Sequence, residues 1–204
     1  MDPNDVSRRA ARKTEIQTRI VQCALNLFRE YGAAETTMEA IAAAAAVTKR
    51  TLYRYFANKE AIANAYWLSN VREKVAMLPD LLLHYPDSRS RLMAVFLDAA
   101  VGFKADPTLA RMHFSYEFQR IGQQLEAPAG LPDDFRQFLT ALLNDGQRLG
   151  DIRRDIPADQ LAWLVQQIFA GICLMWFVAP ESFSLEERLT TAVICFLEGA
   201  AAQG

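Results

Sequence analysis

Cysteine and histidine are scarce in this 204-residue sequence, which has three cysteines and two histidines. Cys23, Cys173 and Cys195 lie far apart and form no CxxC pair, so we expect reduced, buried thiols rather than disulfides or a zinc site. The motifs GxSxG and HExxH and the phosphate-binding loop are also missing. We therefore expect no catalytic residue, no metal and no cofactor. An enzyme would need a Ser or Glu arrangement without a sequence motif.

Signals for strands and for membrane spans are also lacking. No segment alternates apolar and polar residues convincingly, and no Asn-Gly hairpin dipeptide occurs. The most apolar run, residues 168–179, is too short to span a bilayer, and the polar start MDPNDVSRRAARK predicts no signal peptide. We expect a cytoplasmic protein without a membrane partner. Because Pro and Gly separate stretches of helical spacing, the expected fold class is all-α.

The spacing of apolar residues predicts nine helices, with capping residues, Pro and Gly as their boundaries. The first runs from about Thr14 to Tyr31, the second starts at Thr36 or Thr37, and the third spans about residues 48–56. We expect the other six to begin near residues 59, 88, 107, 133, 157 and 184, with residues 79–86 as a connector.

Charge is distributed unevenly along the chain. The net charge of −2 gives no indication of a nucleic-acid partner, but residues 1–59 hold ten Lys and Arg against six Asp and Glu. The remaining residues hold twelve against eighteen. This asymmetry is typical of a phosphate-facing module attached to an acidic body.

The third helix has two chemically different sides. Val47, Leu52 and Phe56 should dock on the first two helices, and the opposite side carries cations and an aromatic ring, which suits a DNA major groove. A basic helix face can also be merely solvated, so charge alone leaves both interpretations open. The residues that we expect to contact DNA are Thr37, Thr48, Lys49, Arg50, Thr51, Tyr53, Arg54, Tyr55 and Lys59.

Residues 37–59 follow the pattern T-x-x-x-I-A-x-x-A-x-V-T-x-x-T-L-Y-x-Y-F-x-x-K. This pattern resembles the helix-turn-helix signature of the tetracycline-repressor (TetR) family. Ala46 stands where that family usually has Gly, and a left-handed conformation there would cost Ala about 1 kcal/mol. The resemblance implies a nine-helix TetR-like architecture. A three-helix DNA-binding domain would occupy residues 1–58, and a helical ligand-binding and dimerisation domain would occupy residues 59–204.

The family resemblance also implies a function. We expect a homodimeric transcriptional regulator, in the first place a repressor that a small hydrophobic or aromatic ligand releases from a palindromic DNA operator. A DNA-binding protein without a small-molecule sensor and a ligand-dependent activator are the alternatives. The basic segment Ser7–Lys13 could reach the minor groove as an arm, or be a solvated tail.

Two further sets of residues are candidates in the body of the protein. The resemblance implies a ligand pocket, for which aromatic residues with a few polar neighbours are candidates, although each could equally belong to the core: Trp67, Phe96, Phe103, His113, Tyr116, Glu117, Trp163 and Phe169. Apolar stripes on the last two helices predict a dimer interface, or else ordinary core, at Val165, Ile168, Ile172, Trp176, Leu189, Val193 and Phe196.

Overall fold

The computed structural model describes residues 3–124 and 134–200, and within these ranges every regular element is a helix. The all-α expectation is thereby confirmed. The described residues form ten helices rather than nine: α1 (Pro3–Tyr31), α2 (Met38–Ala44), α3 (Lys49–Tyr55), α4 (Lys59–Ala76), α5 (Leu78–His84), α6 (Ser88–Ala105), α7 (Pro107–Gln124), α8 (Asp134–Leu149), α9 (Ala158–Val178) and α10 (Leu185–Ala200).

Two boundaries differ from those predicted. α1 starts at Pro3, so the basic segment Ser7–Lys13 is part of a helix and not a separate arm. The predicted connector contains the additional helix α5, which carries Pro in its first turn, where the missing N–H has no helical acceptor to lose. Since α5 has no buried residue, it lacks the inward stripe by which a helix is recognised in sequence.

Side-chain caps mark the starts of helices in the N-terminal region. The choice between Thr36 and Thr37 is resolved in favour of Thr37, whose hydroxyl accepts a hydrogen bond from Ala40 N at 3.1 Å. Thr36 is buried instead, and its hydroxyl donates to Gly32 O at 2.8 Å. Asn58 caps α4 by accepting from Ala61 N at 2.8 Å. Each cap satisfies a backbone donor that the first helical turn leaves open.

The chain divides into two compact units, of which the first comprises Met1–Trp67 and Thr108–Gly122. Its core joins α1, α2, α3, the start of α4 and the first half of α7 through residues such as Ile20, Ile41, Leu52, Ile62 and Leu109. The first half of α7 therefore packs with the N-terminal helices.

The second unit comprises Leu68–Pro107 and Gln123–Gly204, and in its described part α8 packs against α9, and α10 against α6 and α9. α6 and α8 approach very closely at Gly146, where an added Cβ would lie 2.1 Å from Ser88 Oγ. A buried ion pair lies nearby: Arg91, 3% exposed, donates to Asp145 Oδ2 at 2.6 Å. Arg91 also donates to Tyr85 O at 2.9 Å and so ties the end of α5 to α6 and α8.

The link between α8 and α9 is fastened by side chains to the ends of three helices. Asp151 accepts from Ser88 N and Ser88 Oγ, both at 2.8 Å, at the start of α6. Arg153 donates to Gly199 O at 3.0 Å and Arg154 to Gln147 O at 2.6 Å, at the ends of α10 and α8. Apart from the bond of the Ser88 hydroxyl, these bonds use backbone groups that helix ends leave without helical partners.

The three cysteines lie in different environments. Cys173 is buried, and burial raises the pKa of its thiol. Cys23 is half-buried and Cys195 is exposed, which corrects the expectation of three buried thiols. The expected absence of a spanning segment also needs qualification: α9, with 21 residues, is long and apolar enough to cross a membrane by length and composition, a test that a core helix also passes.

Candidate nucleic-acid interface

The turn between α2 and α3 sets the direction of α3. Ala46 has a φ of +52°, the left-handed conformation for which the related family usually has Gly. Ala46 N donates to Ala43 O at 3.1 Å and Val47 N to Ala42 O at 3.0 Å, which closes the end of α2. From α1, Arg19 Nε donates to Ala45 O at 3.1 Å. The turn is therefore held by backbone and side-chain bonds despite its unfavourable φ.

α3 has one buried side and one exposed side. Leu52 is fully buried, Phe56 is 5% exposed, and Val47 packs half-buried against the same core. Arg50 and Tyr53 are exposed on the opposite side. The sidedness expected from the sequence is thus confirmed: the apolar residues fix α3 to the first unit, and the basic, aromatic side faces outward.

Other residues that we expect to contact DNA make local contacts within the protein. Thr48 caps α3, its hydroxyl accepting from Thr51 N at 3.1 Å and lying 2.9 Å from Thr51 Oγ1. Arg54 lies over the ring of half-buried Tyr55, 5.0 Å from its centroid, and donates to its hydroxyl at 3.3 Å. Stacking restricts the guanidinium while leaving donors at its edge.

Lys59 lies elsewhere than the sequence predicts. Its ammonium donates to Ala33 O at 2.5 Å, to Thr36 O at 2.9 Å and to Ala34 O at 3.3 Å. These three acceptors match the three donors of an ammonium group. We therefore correct its assignment as a DNA contact, which we expected at a phosphate: Lys59 fastens the start of α4 to the turn between α1 and α2.

An acidic residue that the sequence analysis did not select lies beside the exposed side of α3. Glu39 Oε1, on α2, is 2.9 Å from Lys49 Nζ, and both side chains are about half exposed or more, at 49% and 64%. The hydrogen bond from Lys49 lowers the pKa of the Glu39 carboxyl, so the carboxylate is ionised at neutral pH. No periodicity of one helix connects these two residues, because they lie on different helices.

The predicted ligand-pocket residues fall into two groups. In the second unit Phe96 and Phe169 have ring centroids 4.7 Å apart, and Phe103 lies 6.1 Å from Phe169. Phe135 and Phe177, which were not predicted, join this aromatic cluster, with centroids 5.5 Å from Phe169 and 5.9 Å from Phe103 respectively.

Other predicted pocket residues belong to the first unit. His113 Nδ1 lies 2.8 Å from Asn64 Oδ1, an acceptor, so the ring donates this hydrogen bond. The ring of Trp67 lies 6.1 Å from that of His113. Tyr116 and Glu117, further along α7, are half-buried. Trp163, in the second unit, is 50% exposed.

The predicted dimer interface needs a correction. Four of its members are covered by the chain's own helices and are at most 7% exposed: Val165, Trp176, Leu189 and Val193. A side chain already packed in its own core is not available to a second copy. Ile168 is 39% exposed, and Ile172 and Phe196 are half-buried.

A surface groove lies outside both predicted sets. Its volume is about 400 Å³, and its lining is mostly polar, from α8 and the start of α9: Arg136, Gln137, Thr140, Ala141, Asn144 and Asp159.

Comparison with known proteins agrees with this arrangement. Residues 20–66 match the profile of the family described as bacterial regulatory proteins, tetR family. The transcriptional repressor KstR2 of Rhodococcus jostii is 22% identical over 200 residues, which cover 97% of this chain and 95% of the relative. The probable acrEF/envCD operon repressor of Escherichia coli is 24% identical over 195 residues, covering 91% and 87%.

Solved structures show the same fold. The repressor FadR of Thermus thermophilus, in complex with lauroyl-CoA, superposes with a TM-score of 0.72 at 24% identity, covering 92% of this chain and 96% of that one. A complex of SmeT with triclosan has a TM-score of 0.58 at 20% identity, covering 93% of each chain.

Proposed function

We propose that this chain, a member of the tetR family of bacterial regulatory proteins, is a homodimeric, cytoplasmic repressor without enzymatic activity. In this proposal residues 1–58 bind a palindromic DNA operator. Residues 59–204 bind a small effector and pair with a second copy. The observation that carries the proposal is the orientation of α3, with Leu52 buried and Arg50 and Tyr53 exposed. A short helix held in this way presents cations and a ring to base edges in the major groove.

The contacts of α3 support separate tasks for its residues. Arg50 is exposed and is suited to a bidentate contact with guanine O6 and N7. Tyr53, 49% exposed, can pack on a thymine methyl group. Thr37 and Thr48 lie at helix starts, where hydroxyl and backbone N–H groups can meet phosphate oxygens.

Pairing is supported by an exposed apolar face on the last two helices. On α9 the exposed positions Leu164, Ile168, Gly171, Met175 and Val178 follow one another at intervals of four, three, four and three. This is the spacing of a helix–helix seam. On α10 the exposed Thr191, Cys195 and Gly199 recur at intervals of four. We propose that these two rows, the exposed pairing face, meet the same rows of a second copy.

The aromatic cluster of the second unit supports an apolar or aromatic effector. Five Phe rings converge there, around Phe169 and Phe103. Lauroyl-CoA and triclosan, found with the two solved structures, contain an alkyl chain and aromatic rings respectively. An effector can release DNA only if it binds the DNA-incompetent conformation more tightly than the competent one.

A gel-shift titration with the chain's own upstream DNA tests the proposal. We expect binding that weakens steeply between 50 and 200 mM salt, because phosphate contacts release counterions. Arg50→Ala should reduce operator affinity by about 1–3 kcal/mol per contacted site. The matched control is Arg89→Ala, which removes an exposed cation from the second unit and should leave affinity unchanged. Absence of a shift at every salt concentration would refute the proposal.

A further inference from the structure

The exposed side of α3 is bordered by the carboxylate of Glu39, on α2. Glu39 and Lys49 are both exposed, and such pairs contribute little to stability. Neither group is buried, so neither needs the other to compensate for lost hydration. The consequence of the pair must therefore be sought in what this surface presents to DNA.

The cations of α3 differ in their freedom to reach a phosphate. Lys49 holds the Glu39 carboxylate at 2.9 Å. Arg54 lies over the Tyr55 ring. Arg50 is exposed, and among the described residues no hydrogen bond or ion pair engages it. A point charge such as the Lys ammonium binds phosphate without reading sequence, whereas the Arg fork reads guanine.

A carboxylate in this position acts on DNA binding in two ways. It neutralises the nearest ammonium, and it repels any phosphate that approaches the start of α3. Both effects apply to every duplex, whatever its sequence. A group that weakens binding to every duplex lowers the sequence-independent part of the affinity, which phosphate contacts dominate.

We propose that Glu39 restrains DNA binding: it keeps Lys49 from phosphates and so lowers the sequence-independent part of the affinity. On random duplex DNA the ion pair persists, and Lys49 releases no counterion. On the operator the same ion pair persists, and the base contacts of Arg50 and Tyr53 supply affinity that Lys49 does not. This inference rests on the proposed function, since it presupposes DNA binding by α3.

The test compares Glu39→Gln, Lys49→Met and the double variant in the full-length protein. Binding to a 30-base-pair random duplex and to the operator is measured by fluorescence anisotropy from about 50 to 200 mM KCl. Glu73→Gln, which removes one exposed negative charge from α4, is the control for net charge.

We expect Glu39→Gln to bind the random duplex up to about tenfold more tightly per contacting subunit. The slope of the logarithm of the binding constant against the logarithm of the KCl concentration should be steeper by about 0.9 per subunit. The gain on the operator should be similar, because a phosphate contact by Lys49 does not depend on the DNA sequence. In the Lys49→Met background, Glu39→Gln should no longer steepen the salt dependence, because the ammonium that it frees is absent.

Two outcomes overturn the inference: an unchanged salt dependence for Glu39→Gln, or an equal change with and without Lys49. Gln has the size of Glu and the site is exposed, and equal melting temperatures would show that folding is intact. If the wild-type protein binds the operator but Glu39→Gln behaves like Glu73→Gln, this inference fails while the proposed function stands. If the wild type binds no DNA, the proposed function itself fails.

Discussion

At the scale of single residues, Ala46 is the position where the sequence and the backbone conflict. Its φ of +52° lies in the left-handed region, where a Cβ atom is unfavourable and Gly is preferred. The side chain is exposed, so its methyl group gains little from packing. The conformation persists because neighbouring hydrogen bonds and the burial of Leu52 hold both sides of the turn.

Replacing Ala46 by Gly should therefore stabilise the protein by about 0.5–1 kcal/mol, since relief of the left-handed conformation outweighs the added freedom of the unfolded chain. Urea unfolding of the full chain measures the change. The matched control is Ala43→Gly, an exposed position inside α2, which should lose about 1 kcal/mol. A loss in both variants would contradict this account of the turn.

The sequence predicts residues well where one helix determines their environment. Leu52 and Phe56 are four residues apart, so helical geometry alone makes them share a side, and the exposure of Arg50 and Tyr53 follows. Lys59 and Glu39 could not be predicted in this way. Their partners lie on other segments, Ala33 being 26 residues from Lys59, and the distance between such residues is decided by packing.

At the scale of elements, the contact of Lys59 joins α4 to the turn after α1. Its three acceptor carbonyls belong to the segment between α1 and α2. Because this segment is not helical, helical hydrogen bonds do not satisfy all three carbonyls. Hydrogen bonds with a charged donor are stronger than neutral ones. The contact therefore fixes the point at which α4 leaves the DNA-binding helices.

Lys59→Met keeps the length of the side chain but removes the ammonium donors. We expect a loss of about 1–3 kcal/mol in the free energy of unfolding, because carbonyls of the turn lose a charged partner. The salt dependence of DNA binding should not change, since the ammonium does not face phosphate. Lys13→Met, at an exposed site on α1, should leave stability within about 0.5 kcal/mol of the wild type. A shallower salt dependence for Lys59→Met would restore its assignment as a phosphate contact.

The ion pair between Arg91 and Asp145 joins α6 to α8 and should matter far more than an exposed pair. Asp145→Ala leaves the guanidinium of Arg91 buried without its counter-charge, and we expect a loss of about 3–5 kcal/mol. Asp98→Ala, which breaks the exposed pair with Lys74, should change stability by about 1 kcal/mol or less. Thermal unfolding of both variants compares the two. Equal losses would contradict the difference in burial.

Elements with strong local signals were predicted closely, and those without were not. Thr48 and Asn58 act as the caps expected from the sequence. α5 was missed because Pro79 lies in its first turn, Pro86 follows its end, and no residue of the helix is buried. The inward face of α9 was also misjudged. This helix is apolar on nearly all sides. The spacing of its apolar residues therefore does not show which row of side chains packs in the chain's own core and which row could contact a second copy.

At the scale of the whole molecule, recognition of a palindrome requires two copies of α3 at a fixed separation of roughly 34–36 Å or a multiple of it. The exposed pairing face proposed for α9 and α10 would supply that geometry. Gly171 lies near its middle with no neighbouring atom within 4 Å of an added Cβ. A glycine there lets two helices approach closely, as small residues do at helix crossings.

Met175→Glu should convert the dimer into a monomer, because a carboxylate in an apolar interface lacks a partner. Operator affinity should fall by about 100-fold or more, since each copy then binds one half-site independently. The control is Val101→Glu on α6, an apolar site 64% exposed and outside the pairing face. Analytical ultracentrifugation gives the mass of each variant. A Met175→Glu protein that remains dimeric would move the interface elsewhere.

The link between α8 and α9 affects how the protein responds to proteolysis. Arg153 and Arg154 are adjacent, which in an extended peptide makes a site for trypsin, yet both guanidinium groups are bound to carbonyls at helix ends. The side chain of Gln147 holds the link from the other direction by donating to Arg153 O and Ile156 O at 2.7 and 2.8 Å. Cleavage here requires that the segment first detach from α8 and α10. The rate of nicking therefore reports how often the second unit opens, and a molecule that binds that unit in its closed form would protect the bond.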